Sequence, residues 1–121
     1  MKILVVDDSK AMRKIVARTL KQAGFEQHAV EEAENGAQAY GAIAAAPPDL
    51  VISDWNMPDM NGIELLQKLR AEGNAVKFGF CTTEGTPEMR KAAMDAGALF
   101  LIAKPFTPET FTQILSPVLA S

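Results

Sequence analysis

The 121-residue chain predicts an open α/β sheet, five strands alternating with five helices. Short apolar runs of strand length recur along it, unbroken rather than alternating with polar residues. The stretches between them space their apolar residues helically, and Gly or Pro marks most of the boundaries. Unbroken apolar runs suit strands covered on both faces, as in a parallel sheet whose crossovers are right-handed.

The first strand is Ile3–Val6, stopped by Asp7 and Asp8. A helix over Lys10–Ala23 follows, with Met12, Ile15, Val16 and Leu20 as its apolar face and Gly24 as its stop. The second strand, around Ala29–Ala33, is the most polar and carries the faintest signal. An Ala-rich helix from Asn35 to Ala45 must end before Pro47-Pro48. Leu50–Ser53 is the third strand. After a turn through Asn56, Pro58 and Asp59 comes a helix over Gly62–Ala71, apolar at Ile63, Leu66 and Leu69. Val76–Cys81 is the fourth strand. The helix Pro87–Ala96 has proline at its start and Gly97 at its end. Leu99–Ala103 is the fifth strand. The last helix, from Thr107 or Pro108, carries Phe111, Ile114, Leu115 and Val118. Pro117 cannot donate to the Gln113 carbonyl, so a kink or fray is expected there.

The length suits one domain with one substantial core, over residues 1–121. A formal charge of −3 disfavours direct nucleic-acid binding, which selects for basic excess. The single Cys81 excludes an internal disulfide and reads as a small buried hydrophobe. No run is long enough to span a membrane, and Asp7 cuts off any signal-peptide core. A cytoplasmic setting without a membrane partner is therefore expected, and a monomer is the expected state.

In such sheets ligands bind beyond the carboxyl ends of the strands. The first strand ends in Asp7-Asp8, the third in Asp54, the fourth in Thr82 and the fifth in Lys104. Each has an ordinary alternative: helix caps for Asp7-Asp8, a loop acid for Asp54, a strand-favouring residue for Thr82, a surface lysine for Lys104. Gathered on one edge, three acids repel one another unless a cation sits among them. Magnesium meets that demand, since it takes oxygen ligands and needs only one or two carboxylates beside water and phosphate. Asp8 and Asp54 can ligate directly, Asp7 through water, and a loop carbonyl near Asn56 can fill another position. The lone His28 offers no zinc site.

These residues resemble the response-regulator receiver family, most closely its chemotaxis regulators. The matching stretches are Val5-Val6-Asp7-Asp8-Ser9, Val51 to Pro58, Gly62-Ile63-Glu64-Leu65-Leu66 and Lys104-Pro105-Phe106, so the likeness covers essentially the whole chain. It implies a flavodoxin-like doubly wound sheet of order 2-1-3-4-5. It also implies that Asp54 is the phosphoacceptor, and that Asp7, Asp8, Asp54 and the Asn56 backbone carbonyl hold Mg2+. Thr82 and Lys104 would contact the phosphoryl oxygens, and the Lys104–Pro105 bond would be cis. The implied donor is a sensor histidine kinase. The implied target is a protein, with the flagellar motor switch as a candidate.

Two positions depart from the resemblance. Leu101 stands where these regulators carry a switch aromatic, which puts the output face in question. Thr83 replaces a small residue beside the phosphoryl site, where it would narrow the path for water, while Asn56 and Glu84 match the pair that tunes dephosphorylation. A receiver module from a longer regulator with a DNA-binding or enzymatic output domain is the main alternative. An aspartyl-phosphate hydrolase would want a second acid where Asn56 stands. A nucleotide-binding domain would want a glycine-rich loop after the first strand.

Overall fold

The computed structural model describes residues 1–120, and in them all five strands and five helices occur in the expected alternation. The strands are β1 (Lys2–Val6), β2 (Ala29–Ala33), β3 (Leu50–Ser53), β4 (Lys77–Thr82) and β5 (Leu101–Ala103). They pair in parallel in the order β2-β1-β3-β4-β5, the flavodoxin-like order. The helices are α1 (Lys10–Gln22), α2 (Gly36–Ala45), α3 (Gly62–Ala71), α4 (Pro87–Asp95) and α5 (Pro108–Ala120).

Successive strand residues point to opposite faces, and both faces are apolar. Ile3, Val5, Leu50, Ile52 and Ile102 pack under α1 and α5 against Val16, Leu20, Phe111 and Leu115. Leu4, Val6, Val51, Phe78 and Phe80 pack on the other side against Ile43, Leu65, Leu66 and Leu69 of α2 and α3. Helix α4 adds a single buried residue, Ala93. Gly79 has no side chain where the Phe100 ring lies: a Cβ there would sit 2.1 Å from Phe100 Cζ.

Several boundaries move. Strand β4 begins and ends one residue later than expected, at Thr82. Strand β5 is shorter, because Leu99 is exposed and only its N–H joins the sheet edge, donating to the Phe78 carbonyl at 2.8 Å. Ile15 does not belong to the core of α1. It is 42% exposed, and Thr19 takes the inward position instead, its hydroxyl donating to the Ile15 carbonyl. Leu65, left off the expected apolar face of α3, is fully buried. Helix α5 runs through Pro117 to Ala120, so the expected fray does not occur. Burial of Leu119 and a bond from Lys77 Nζ to the Val118 carbonyl hold its last turn.

Candidate functional site

Parallel pairing places the carboxyl ends of β1, β3, β4 and β5 along one edge. Asp7 directly follows β1 and extends its pairing by one residue, with its N–H donating to the Ala33 carbonyl at 3.1 Å. Asp54 follows β3, and its N–H donates to the Val6 carbonyl at 2.8 Å. Lys104 follows β5, and its N–H donates to the Thr82 carbonyl at 2.8 Å. Main-chain bonds thus carry the sheet's order into the loops that hold the acids and the amine.

One carboxylate oxygen from each of Asp7, Asp8 and Asp54 lies within 4.8 Å of the others. Asp7 is buried, Asp54 partly buried and Asp8 exposed. Helix capping does not account for Asp8, because Ser9 is the N-cap of α1, its Oγ accepting from the Met12 N–H. Asp7 Oδ1 accepts the Ser9 N–H at 2.9 Å, and Asp54 Oδ1 accepts the Trp55 N–H at 2.7 Å. The remaining oxygens of these two acids face Lys104. Its ammonium lies 3.0 Å from Asp7 Oδ2 and 3.7 Å from Asp54 Oδ2. Its side chain is only 9% exposed, which removes the reading as a surface lysine.

Burial pushes the Asp54 carboxyl above its ordinary range. Lys104 pulls it back, Asp7 and Asp8 raise it further, and the Trp55 N–H lowers it. Burial works against the charge on Lys104, but its hydrogen bond to Asp7 and the charges of Asp54 and Asp7 outweigh that and leave its pKa raised. Three carboxylates against one ammonium leave an anionic cluster of hard oxygens. That donor set fits a small divalent cation and not zinc, which favours nitrogen and sulfur.

The neighbouring loops complete the edge. Thr82, fully buried at the end of β4, accepts the Glu84 N–H on its hydroxyl at 3.3 Å. Asn56 Nδ2 donates to Glu84 Oε1 at 3.2 Å, so the loops after β3 and β4 touch through these two exposed side chains. Thr83 is exposed between them in sequence and Leu101 is buried in β5. The Lys104–Pro105 peptide is cis.

Gly62 lets α3 close onto the site. A Cβ there would fall 2.2 Å from the Asp54 carbonyl oxygen and 2.8 Å from the Phe80 ring. Its N–H donates to the Trp55 carbonyl, and the Trp55 ring packs 4.8 Å from that of Phe80. In the loop between, Asp59 has a φ of 69°, a region that Asp tolerates better than most residues.

Every residue expected at the site lies on this edge except Leu101, which sits in β5 and faces the α2–α3–α4 core. His28 lies before β2, its ring 5.9 Å from Phe25. Cys81 is buried, and burial pushes its thiol up to about 12. Arg13 had no part in what the sequence led one to expect. Its Nη1 donates to the Asp7 carbonyl at 2.7 Å, and its Nε donates to Glu32 Oε1 at 2.9 Å. The only available signal was its place, one turn into a helix that begins beside the acids.

Comparison with known proteins agrees with this fold. The response regulator receiver domain family matches residues 3–116. The chain is 42% identical over 124 aligned positions to the chemotaxis protein CheY1 of Helicobacter pylori (strain J99), covering all of this chain and 98% of the relative. It is 41% identical to a CheY homolog of Campylobacter jejuni, again over the whole chain and 94% of the relative. The structure of chemotaxis protein CheY4 of Vibrio cholerae superposes with a TM-score of 0.84 at 37% identity, covering 97% of each chain.

Proposed function

The chain belongs to the response regulator receiver domain family, and from that premise we propose that it is a chemotaxis-type regulator switched by phosphorylation of Asp54. Receiver domains of this kind are signalling switches and not enzymes in the ordinary sense. One observation carries the assignment: of the two carboxylates that face the Lys104 ammonium, Asp54 follows the central strand β3 and is partly open to solvent, whereas Asp7 is buried and nearer the amine.

In this reading a sensor histidine kinase presents phosphohistidine. An Asp54 carboxylate oxygen attacks phosphorus, the P–N bond breaks, and its electron pair leaves on the imidazole nitrogen. Asp7, Asp8, Asp54 and the Asn56 carbonyl would hold Mg2+, which when bound neutralises charge on the transferring phosphoryl group. Lys104 pairs with one phosphoryl oxygen and the Thr82 hydroxyl donates to another. The acyl phosphate adds roughly one to two negative charges at the carboxyl edge. Thr82 and the loop after it respond, and the altered surface binds a protein target, with the flagellar motor switch as the candidate. The setting is the cytoplasm. No described helix is long and apolar enough to cross a membrane.

The test is intact-mass measurement after acetyl phosphate treatment in magnesium buffer. Wild type should gain one phosphoryl group and lose the gain in EDTA, and Asp54→Ala should gain none while remaining folded by circular dichroism. Labelling of Asp54→Ala would overturn the assignment.

A further inference from the structure

Asp7 lies past the last residue of β1, where the ladder no longer fixes both sides of its peptide. Its N–H is held by Ala33. Its carbonyl, which belongs to the Asp7–Asp8 peptide, is held by the Arg13 guanidinium at 2.7 Å. That guanidinium is itself anchored: Nε reaches Glu32 Oε1 at 2.9 Å, and Lys14 Nζ reaches Glu32 Oε2 at 2.6 Å. The Arg13 side chain is 11% exposed, so the arrangement is packed between α1 and the edge strand β2 and not draped on the surface. Glu32 also offsets the Arg13 charge, which otherwise would stand beside three carboxylates and compete with a cation.

We infer that Arg13, held by Glu32, is a positioning residue that fixes the Asp7–Asp8 peptide and so sets the carboxylate pair for a divalent cation. This rests on the metal reading of the acidic cluster proposed above. The physical reason is rotation. If its carbonyl loses Arg13, the peptide between two adjacent acids is spanned only by the Asp7 Oδ1–Ser9 N–H bond and can turn, which swings the start of the Asp8 side chain away from Asp7 and Asp54. A planar fork that bonds two acceptors at once suits this task, and a lysine point charge does not reproduce it.

The charge of Arg13 and its geometry predict opposite signs. Removing a cation near the acids should tighten magnesium binding if only Coulomb forces mattered. Losing the fixed peptide should weaken it, by about 10-fold, the low end of what outer partners of metal ligands contribute. The experiment is a magnesium titration read by Trp55 emission in wild type, Arg13→Met, Arg13→Lys and Arg70→Met. Arg70 is the control, because it also holds main-chain carbonyls, those of Asn74 and Gly97, away from the acids.

Arg13→Met should bind more weakly, Arg13→Lys should lie between it and wild type, and Arg70→Met should match wild type whatever its stability. Unchanged or tighter binding in Arg13→Met overturns the inference, as does equal weakening in Arg70→Met. If Arg13→Met does not fold, Arg13→Lys decides: weaker binding than wild type supports the inference, and equal or tighter binding overturns it. A wild type blind to magnesium would instead sink the metal reading itself, and the inference with it.

Discussion

Lys104 stands closer to Asp7, at 3.0 Å, than to Asp54, at 3.7 Å. Before any phosphoryl group arrives, its charge is already committed to the carboxyl edge, and the side chains of all three residues are largely buried. Lys104→Ala should therefore destabilise the metal-free protein by about 3 kcal/mol, the order found when one partner of a buried ion pair is removed. Magnesium should recover part of that loss and should bind the variant more tightly than wild type, because a competing cation is gone. Urea unfolding with and without magnesium measures both. A variant as stable as wild type without metal would show that Lys104 does not hold the acids together.

Asp54 gives a pH dependence of definite sign. Its folded pKa is raised by burial and by its acidic neighbours against the pull of Lys104. Ionising it therefore costs stability. The fold keeps the full benefit of the protonated form below the ordinary carboxylate pKa and loses it as pH rises through the raised value. Asp54→Asn should be more stable than wild type at pH 7 without metal, by roughly 1–2 kcal/mol, the scale of a relieved like-charge contact. The difference should shrink as the pH is brought below the carboxylate range. Thermal melts across pH check this, and a gap that widens toward acid would contradict it.

Thr83 follows the buried Thr82 and is exposed, beside the contact between Asn56 and Glu84. Water that hydrolyses an acyl phosphate must enter in line with the bond it breaks, so bulk at this position slows it. Thr83→Ala should lose its phosphoryl group about 2–5-fold faster than wild type once the donor is removed, as expected for a modest steric gate. Decay followed in one magnesium buffer decides. Equal or slower loss in Thr83→Ala would leave Asn56 and Glu84 as the residues that set the lifetime.

Cys81 should be chemically silent in the native state. It is 2% exposed and its thiol pKa is pushed up to about 12, so almost no thiolate is present at pH 8. A disulfide reagent at that pH should label it fully in guanidinium and at least 100-fold more slowly in buffer, the protection set by opening of the fold. Rapid native labelling would mean that β4 opens far more readily than its packing implies.

Much of the fold was readable because each central strand is an unbroken apolar run. Residues such as Val51, Ile52, Phe78 and Phe80 are buried from both sides, so burial and strand assignment coincide. The faint signal of β2 has the complementary cause. It is an edge strand whose Glu31 and Glu32 are exposed, and charges there discourage further pairing. Ile15 misled because its spacing along α1 fits the apolar face, whereas the inward position belongs to Thr19, whose hydroxyl is satisfied within the helix. The acids and Lys104 were legible as strand-end residues of one sheet edge. The Arg13 bond to a main-chain carbonyl was not, since any long polar side chain of α1 could have turned to solvent and only packing against β2 decides otherwise.

Helix α4 is anchored to the sheet through Ala93 alone as a fully buried residue, where α1, α3 and α5 each bury three or more. Beside it Met89 is only partly buried and Arg90 adds one long bond to the Leu101 carbonyl, so the tether is weak. The mechanical stiffness of this molecule is therefore uneven, concentrated in the helices that carry its large aliphatic and aromatic side chains. The helix that follows the Thr82 loop can shift or unravel while the cores on either side of the sheet remain closed. On the reading proposed above, a charge of one or two units placed at the carboxyl edge would meet the most loosely fastened part of the domain.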